Sequence, residues 1–304
     1  MYNELSIPEI NVQVHDTNTN INTVTALHTN PQPKKRSLKT HLVDASSIKR
    51  FSVLTYNVWL AGDYQKERLL KIISMIREKN PDIVCLQELT VEMFKLIDAR
   101  LGSYYQIFQA FIAESDPYGS CIMCKKDTVK IVESEDNPYY YDYTGQTKMS
   151  RRVVGCEIEF IKYTAPKIHI LTTHLESFPQ NDTYRSHQVD ILQGVIKPLK
   201  NCIVMGDFSI ASPEEEAEKK LNDARLKDCW VEMGCPFKLK HTYNAKKNIN
   251  VADKLQQRYD RVLYHSTHIK PKLMALIGRD NVSQAVSLPP SNHYGLLVEF
   301  EISE

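Results

Sequence analysis

Large apolar residues fall into two rhythms after residue 50 and into almost none before it. Compact runs such as Phe51–Val58 and Ile83–Leu86 have the length and β-branched content of buried strands. Between them Leu69, Ile72, Ile73 and Ile76 recur at helical spacing, which predicts a helix that stops at Asn80-Pro81. A second helix carries Phe94 and Ile97. Shorter strands are predicted over Tyr105–Gln109, Gly119–Lys125 and Thr128–Val132. Val153–Ile161 and Lys167–Thr173 read as paired strands, followed by a helix from Tyr184 to Lys197 and a strand through Ile203-Val204-Met205. Pro213-Glu214-Glu215-Glu216 starts another helix, with negative charge placed at its N-terminal turn. Tyr259–His265 and Tyr294–Ile302 are the last two strands predicted. The segment Pro138-Tyr139-Tyr140-Tyr141-Asp142-Tyr143 reads as an aromatic loop whose rings pack on their own domain, with stacking on bases as the alternative.

Residues 1–50 are rich in Asn, Thr and Pro and are predicted to form a disordered polar tail, because they cannot bury enough surface to fold. Pro33-Lys34-Lys35-Arg36 within it reads first as a solvated charge run, and second as a nuclear address or nucleic-acid patch. Residues 51–304 read as one domain.

Charge changes the picture a little. The formal net charge is +1 over 304 residues. The tail holds six Lys/Arg against four Asp/Glu, so it is +2 and the remainder −1. A globule so close to neutral is not built to track a long phosphate backbone nonspecifically, but it can grip one or two phosphates. Seven Cys without paired spacing point to reduced thiols and an intracellular setting, nucleus or cytoplasm. Cys121 and Cys124 form a C-x-x-C, yet in a strand they face opposite ways, which argues against a zinc or redox role. No apolar run reaches a membrane-spanning length, so no membrane partner is expected.

The chemistry lies where the strands end. Asn57, Glu88, His174, Asp207 and the pair Asn292-His293 each close an apolar run. One such residue is an ordinary turn. Six over 236 positions supply what phosphate-ester hydrolysis requires if one sheet rim gathers them. A carboxylate can hold a hard cation such as Mg²⁺, a second can orient or deprotonate water, and imidazoles can bind or protonate phosphoryl oxygens.

Thr-Tyr-Asn57, Leu-Gln-Glu88, Thr-His174-Leu-Glu, Gly-Asp207-Phe-Ser and Ser-Asn292-His293 stand in the order of the endonuclease/exonuclease/phosphatase superfamily, which this chain resembles over residues 51–304. Within it the sequence looks most like the magnesium-dependent tyrosyl-DNA phosphodiesterases of type 2. Thr147-Lys148-Met149-Ser150-Arg151, Asp228-Cys229-Trp230, Thr242-Tyr243 and Arg258-Tyr259-Asp260-Arg261 continue the likeness. It implies an α/β (α+β) fold, a four-layer αββα sandwich of two mixed β-sheets flanked by helices. It also implies a Mg²⁺ cofactor (Mn²⁺ as substitute) held by Glu88 with Asn292 beside it. Asn57 would arrange metal and phosphate, Asp207 would activate water, and His174 and His293 would contact the phosphate. Asp260 would fix the tautomer of His293. Ser177, Ser209, Tyr243 and Arg152 would meet the substrate, with Arg151 the alternative to Arg152. The implied partner is a nucleic-acid end or a protein–nucleic-acid adduct, and the chain is expected to act as a monomer.

Two positions depart from that pattern. Ser209 stands where the family has Asn, and Asn292 where it has Asp. A metal site with one fewer anionic partner binds its ion more weakly. Three readings therefore stand at this point: a Mg²⁺-dependent phosphodiesterase for a 5′-phosphotyrosyl link, another nuclease or phosphatase of the superfamily, and a binding protein that kept the pocket without turnover.

Overall fold

The computed structural model describes residues 49–110, 118–143, 145–162 and 164–303. The expected tail and its Pro33-Lys34-Lys35-Arg36 run lie outside the described residues, apart from Lys49 and Arg50. The first half of the fold runs β1 (Arg50–Asn57), α1 (Gln65–Lys79), β2 (Ile83–Leu89), α2 (Val91–Leu101), β3 (Tyr105–Ala110), β4 (Gly119–Lys125), β5 (Val129–Ile131), β6 (Tyr139–Asp142) and β7 (Arg152–Phe160). Then come β8 (Ile168–His174), α3 (Asp182–Ile196), β9 (Cys202–Asp207), α4 (Glu216–Asp223), β10 (Lys227–Asp228) and α5 (Cys229–Glu232). The chain finishes with β11 (Tyr243–Asn244), β12 (Gln256–Gln257), β13 (Asp260–His265), β14 (Ile269–Ile277) and β15 (Gly295–Ile302).

Two large sheets carry the structure. One has the order β14-β15-β1-β2-β4-β3, the other β10-β13-β9-β8-β7-β5 with β6 added to β7. Strand alternation explains how they pack. On β1, Phe51 and Val53 join the core between the sheets, while Leu54 and Tyr56 face α1. On β9, Ile203 and Met205 point inward, and Cys202 and Val204 face α3 and α4. Helices α1 and α2 thus cover one sheet and α3 and α4 the other, giving mixed α/β layers around a central apolar seam. The Gln87 amide crosses this seam and donates to Thr172 Oγ1 at 3.0 Å, tying β2 to β8.

The same parity delivers the chemistry. Asn57 continues the inward row of Phe51, Val53 and Thr55; His174 continues Ile168, Ile170 and Thr172; Asp207 continues Ile203 and Met205. Strands β1 and β2 run parallel, as do β8 and β9, so their C-terminal ends share one rim. Antiparallel β13 starts at that rim and sets Asp260 beside Asp207.

Cys121 joins the outer core and Cys124 the inner one, as opposite faces of β4 require. All seven cysteines are free, six of them buried. Besides the two-residue strands β10, β11 and β12, two longer strands escape the periodicity argument. Residues Tyr139–Asp142, read as a loop, form edge strand β6 on β7. Strand β14 goes unpredicted because Lys270, Pro271 and Lys272 interrupt its apolar pattern. It is an edge strand, with a register shift between Pro271 and Leu273, and edges tolerate proline. Among the described residues no helix is long and apolar enough to cross a membrane.

Candidate active site

Asn57 is the hub of the rim. Its Nδ2 donates to Glu88 Oε1 at 3.1 Å and to Asp207 Oδ2 at 3.0 Å, while its Oδ1 accepts from the Trp59 amide at 2.9 Å. One buried side-chain amide therefore holds two carboxylates from different sheets against their mutual repulsion. Glu88 does not follow the alternation of β2. The pairing with β4 shifts between Leu86 and Leu89, and Glu88 takes φ +62°, in the left-handed region. A non-glycine residue held there stores about 1–3 kcal/mol of strain, and such residues cluster at functional sites. The bulge turns Glu88 to the rim behind Gln87, and the Leu60 amide fixes its Oε2 at 3.0 Å.

Asp207 is almost fully buried and completely engaged. Its Oδ1 accepts from the Ser209 amide at 2.8 Å and the Ser209 hydroxyl at 2.9 Å. His174 Nε2 and His293 Nε2 lie 3.3 and 3.7 Å from its Oδ2. Burial alone would raise the Asp207 carboxyl; the two imidazoles and the Asn57 bond outweigh it and hold the group well below the usual carboxylate range. Asp207 is an anion at any working pH.

His293 Nδ1 donates to Asp260 Oδ2 at 2.7 Å. Burial opposes a charge on this ring, but the carboxylates of Asp260 and Asp207 win and push its pKa up to about 9. Asp260 is itself fully buried, with its backbone amide held by Thr242 Oγ1 at 3.0 Å. At neutral pH His293 is an imidazolium whose Nε2–H points to the rim.

The structure thus brings Asn57, Glu88, His174, Asp207, Asp260 and His293 together around one point. Glu88, Ser177, Asp207, Ser209, Tyr243, Asn292 and His293 line a cleft of about 310 Å³. The Tyr243 ring stands 5.1 Å from that of His293. Arg152 does not reach the cleft: it is paired with Asp142 at 3.2 Å and lines a narrow recess behind His174. Arg151 is the arginine turned to the site residues, donating to His174 Nδ1 at 2.6 Å and to Ser177 Oγ at 3.0 Å.

Sequence patterning missed other members of the site. Ser291 Oγ donates to the Asn57 carbonyl at 2.7 Å and accepts from the His293 amide at 3.1 Å, stapling two segments of the rim. Trp59, Phe178 and Tyr259 form the cleft walls. Positions flanking the polar strand ends were the available signal for Trp59 and Ser291; nothing local marked Phe178.

The Endonuclease/Exonuclease/phosphatase family profile matches residues 54–283. The chain belongs to this family. Tyrosyl-DNA phosphodiesterase 2 of Xenopus laevis is 27% identical over 262 residues, which is 83% of this chain and 67% of that protein. A 5′-tyrosyl-DNA phosphodiesterase of Caenorhabditis briggsae is 25% identical over 85% of this chain and 72% of its own length. The structure of D. rerio TDP2 complexed with single strand DNA product superposes with a TM-score of 0.72 at 24% identity, covering 83% of this chain and 99% of that one. Truncated Caenorhabditis elegans TDP2 gives 0.71 at 22% identity, over 84% and 98%. These superpositions show a shared fold.

Membership of this enzyme family raises the question of a metal, and the donor set answers it. Three acidic and imidazole groups, on Asp207, Asp260 and His293, lie within 4.8 Å of one another. All three are buried, and Asp260 and His293 are already bonded to each other at 2.7 Å, which disfavours an ion among them. Glu88 fits better. Its side chain is 18% exposed and it lines the cleft with Asn292, and a carboxylate beside an amide carbonyl offers the oxygen donors that Mg²⁺ prefers.

Proposed function

We propose that this family member is a metal-dependent phosphodiesterase that hydrolyses a 5′-phosphotyrosyl or related phosphodiester bond at a nucleic-acid end, in the nucleus or cytoplasm. The observation that carries this reading is the Asn57 amide bonded at once to Glu88 and Asp207, with two imidazoles over the same carboxylate. Glu88, with Asn292 beside it, would hold a Mg²⁺ ion, which supplies charge neutralisation at a phosphoryl oxygen.

The protein's own groups account for the rest. Asp207 accepts a hydrogen bond from a water and turns its lone pair toward phosphorus. The new P–O bond forms as the bond to the phenolic or sugar oxygen breaks opposite it. Asp207 orients the water as a hydrogen-bond acceptor, and the water's proton is released to solvent. The departing oxygen leaves as a phenolate or takes a proton from solvent. His174 and the His293 imidazolium donate from Nε2 to the phosphoryl oxygens, where charge gathers in the transition state. Tyr243, Trp59 and Phe178 flank the leaving group and the terminal nucleotide.

The substitution at Ser209 is compatible with turnover, because its amide and hydroxyl both hold Asp207. Asn292 is the feature that favours the non-hydrolytic alternative, a phosphate-end binder, since it leaves the Glu88 side of the cleft short of an anion. Hydrolysis of a nitrophenyl ester of thymidine 5′-phosphate and of a 5′-phosphotyrosyl oligonucleotide, with Mg²⁺ or Mn²⁺, separates the two. Wild type is expected to exceed Asp207→Asn by at least about 10²-fold. Equal rates for both proteins would end the hydrolytic reading.

A further inference from the structure

The aromatic run at residues 138–143 takes no part in the cleft, and it borders a second cavity. Strand β6 places Tyr139 and Tyr141 on one face, their rings 5.7 Å apart and edge-to-face. Gly155 on β7 leaves room for the first of them, since a Cβ there would lie 2.3 Å from the Tyr139 ring. With Glu135, Asp136, Glu157 and His169 these rings line a hollow of about 590 Å³, bounded also by Val195 and Leu199 near the end of α3. It lies toward the opposite end of the sheet from the cleft: His169 and His174 both belong to β8, five residues or about 17 Å apart along the strand.

The hollow is negative. Residues 132–142 hold four acids and no Lys or Arg. Glu133 leans on Lys130 and Asp142 pairs with Arg152, but among the described residues Glu135 and Asp136 have no cation within ion-pair distance. Nor does His169 neutralise Glu157. The Tyr139 hydroxyl donates to His169 Nδ1 at 3.1 Å, so the ring proton sits on Nε2, 3.5 Å from Glu157 Oε1. Burial holds this imidazole below its ordinary value although Glu157 pulls the other way. Lys167 stands 4.0 Å from the other Glu157 oxygen. Tyr141 is 47% exposed, and among the described residues β6 is paired along one edge only, with β7.

We propose that this hollow is a docking site for a basic peptide, extended along the free edge of β6 with Lys or Arg side chains over the tyrosine rings and against Glu135, Asp136 and Glu157. A cation over an aromatic face beside a carboxylate is attracted by both. The free edge selects a peptide, because an added strand is held by its backbone and drops alternate side chains on one face. The volume exceeds that of one side chain, and the acids repel a phosphate backbone. The site owes nothing to the chemistry of the cleft, so the two can be filled together.

The test uses the full chain and a fluorescent peptide of about eight residues in which Lys alternates with Thr, followed by anisotropy. Tyr141→Ala should weaken binding by about 2–5-fold, and its combination with Glu135→Gln and Asp136→Asn by about tenfold or more. Tyr141→Phe keeps the ring face and should bind as wild type does. Glu88→Gln should too, although the cleft also holds carboxylates. The three altered positions in the hollow are exposed, so melting temperatures should match wild type. Absence of binding by wild type overturns the site, as does an affinity that the triple variant leaves unchanged. A loss in Glu88→Gln would put the peptide in the cleft and overturn it as well. Spermine competing as strongly as the unlabelled peptide would show a small-cation site and end the peptide reading.

Discussion

Arg151 Nη1 donates to His174 Nδ1 at 2.6 Å, and that contact decides which nitrogen faces Asp207. A guanidinium has no acceptor, so Nδ1 must accept and the ring proton sits on Nε2, 3.3 Å from Asp207. His293 reaches the same outcome by the opposite route, donating Nδ1–H to Asp260. Both imidazoles thus present an Nε2–H to one spot.

Arg151 is accordingly a positioning residue. Arg151→Ala should lower kcat for the nitrophenyl ester by about 10–100-fold, as the loss of an orienting partner does, with a smaller change in KM. Arg151→Lys should recover part of the loss, because an ammonium also donates. A variant with wild-type kcat would show that the tautomer of His174 does not matter.

The pair of His293 and Asp260 makes stability depend on pH. The folded pKa of His293, about 9, lies above the ordinary value of 6.5. The raised value means the folded state binds the proton more tightly, so this contribution is complete below pH 6.5 and is lost as pH rises through 9. In EDTA the melting temperature of wild type should fall between pH 7 and pH 9.5. Asp260→Asn should melt lower at pH 7 and lose most of that slope. Parallel pH curves for the two proteins would contradict the assignment.

How much of this was readable beforehand follows from strand geometry. Asn57, His174 and Asp207 were legible because each extends an inward row by one more step, and a period of two carries a side chain to the rim without further information. Glu88 was legible as a residue but not as a geometry. Simple alternation sends it outward, and only the bulge after Leu86 turns it in. The choice between Arg151 and Arg152 was not legible, since adjacent residues enter β7 with opposite directions and the loop before it sets the register. Strand β14 was hidden by Pro271, which an edge position accepts. Contacts between distant loops, such as Ser291 to Asn57, left no local trace.

Asn292 carries the next expectation. It lines the cleft near Glu88 without a charge of its own. Asn292→Asp adds one anion to the proposed metal side, and affinity for a hard cation rises with ligand charge. The half-saturating Mg²⁺ concentration should drop by about tenfold, read both as ester hydrolysis and as a Mg²⁺-induced rise in melting temperature. Identical metal titrations for the two proteins would remove Asn292 from the site.

The sharpest constraint on the site is the glycine before Asp207. Gly206 has φ +148°, and a Cβ built on it would lie 1.9 Å from the Thr173 carbonyl oxygen on β8. That oxygen is backbone of a paired strand and cannot move aside without pulling His174 with it. Gly206→Ala therefore adds both strain and a clash at the point where His174 and Asp207 meet, and should cost more than about 3 kcal/mol by denaturant unfolding. Gly194 supplies the control. It sits exposed in the last turn of α3, where a Cβ meets nothing within 4 Å. There the same substitution should stabilise the protein by about 0.5–1 kcal/mol, through helix propensity and a less flexible unfolded chain. Opposite signs for one chemical change would locate the effect in the close approach of β8 and β9. A tolerated Gly206→Ala would mean that the two strands can separate and still hold His174 against Asp207.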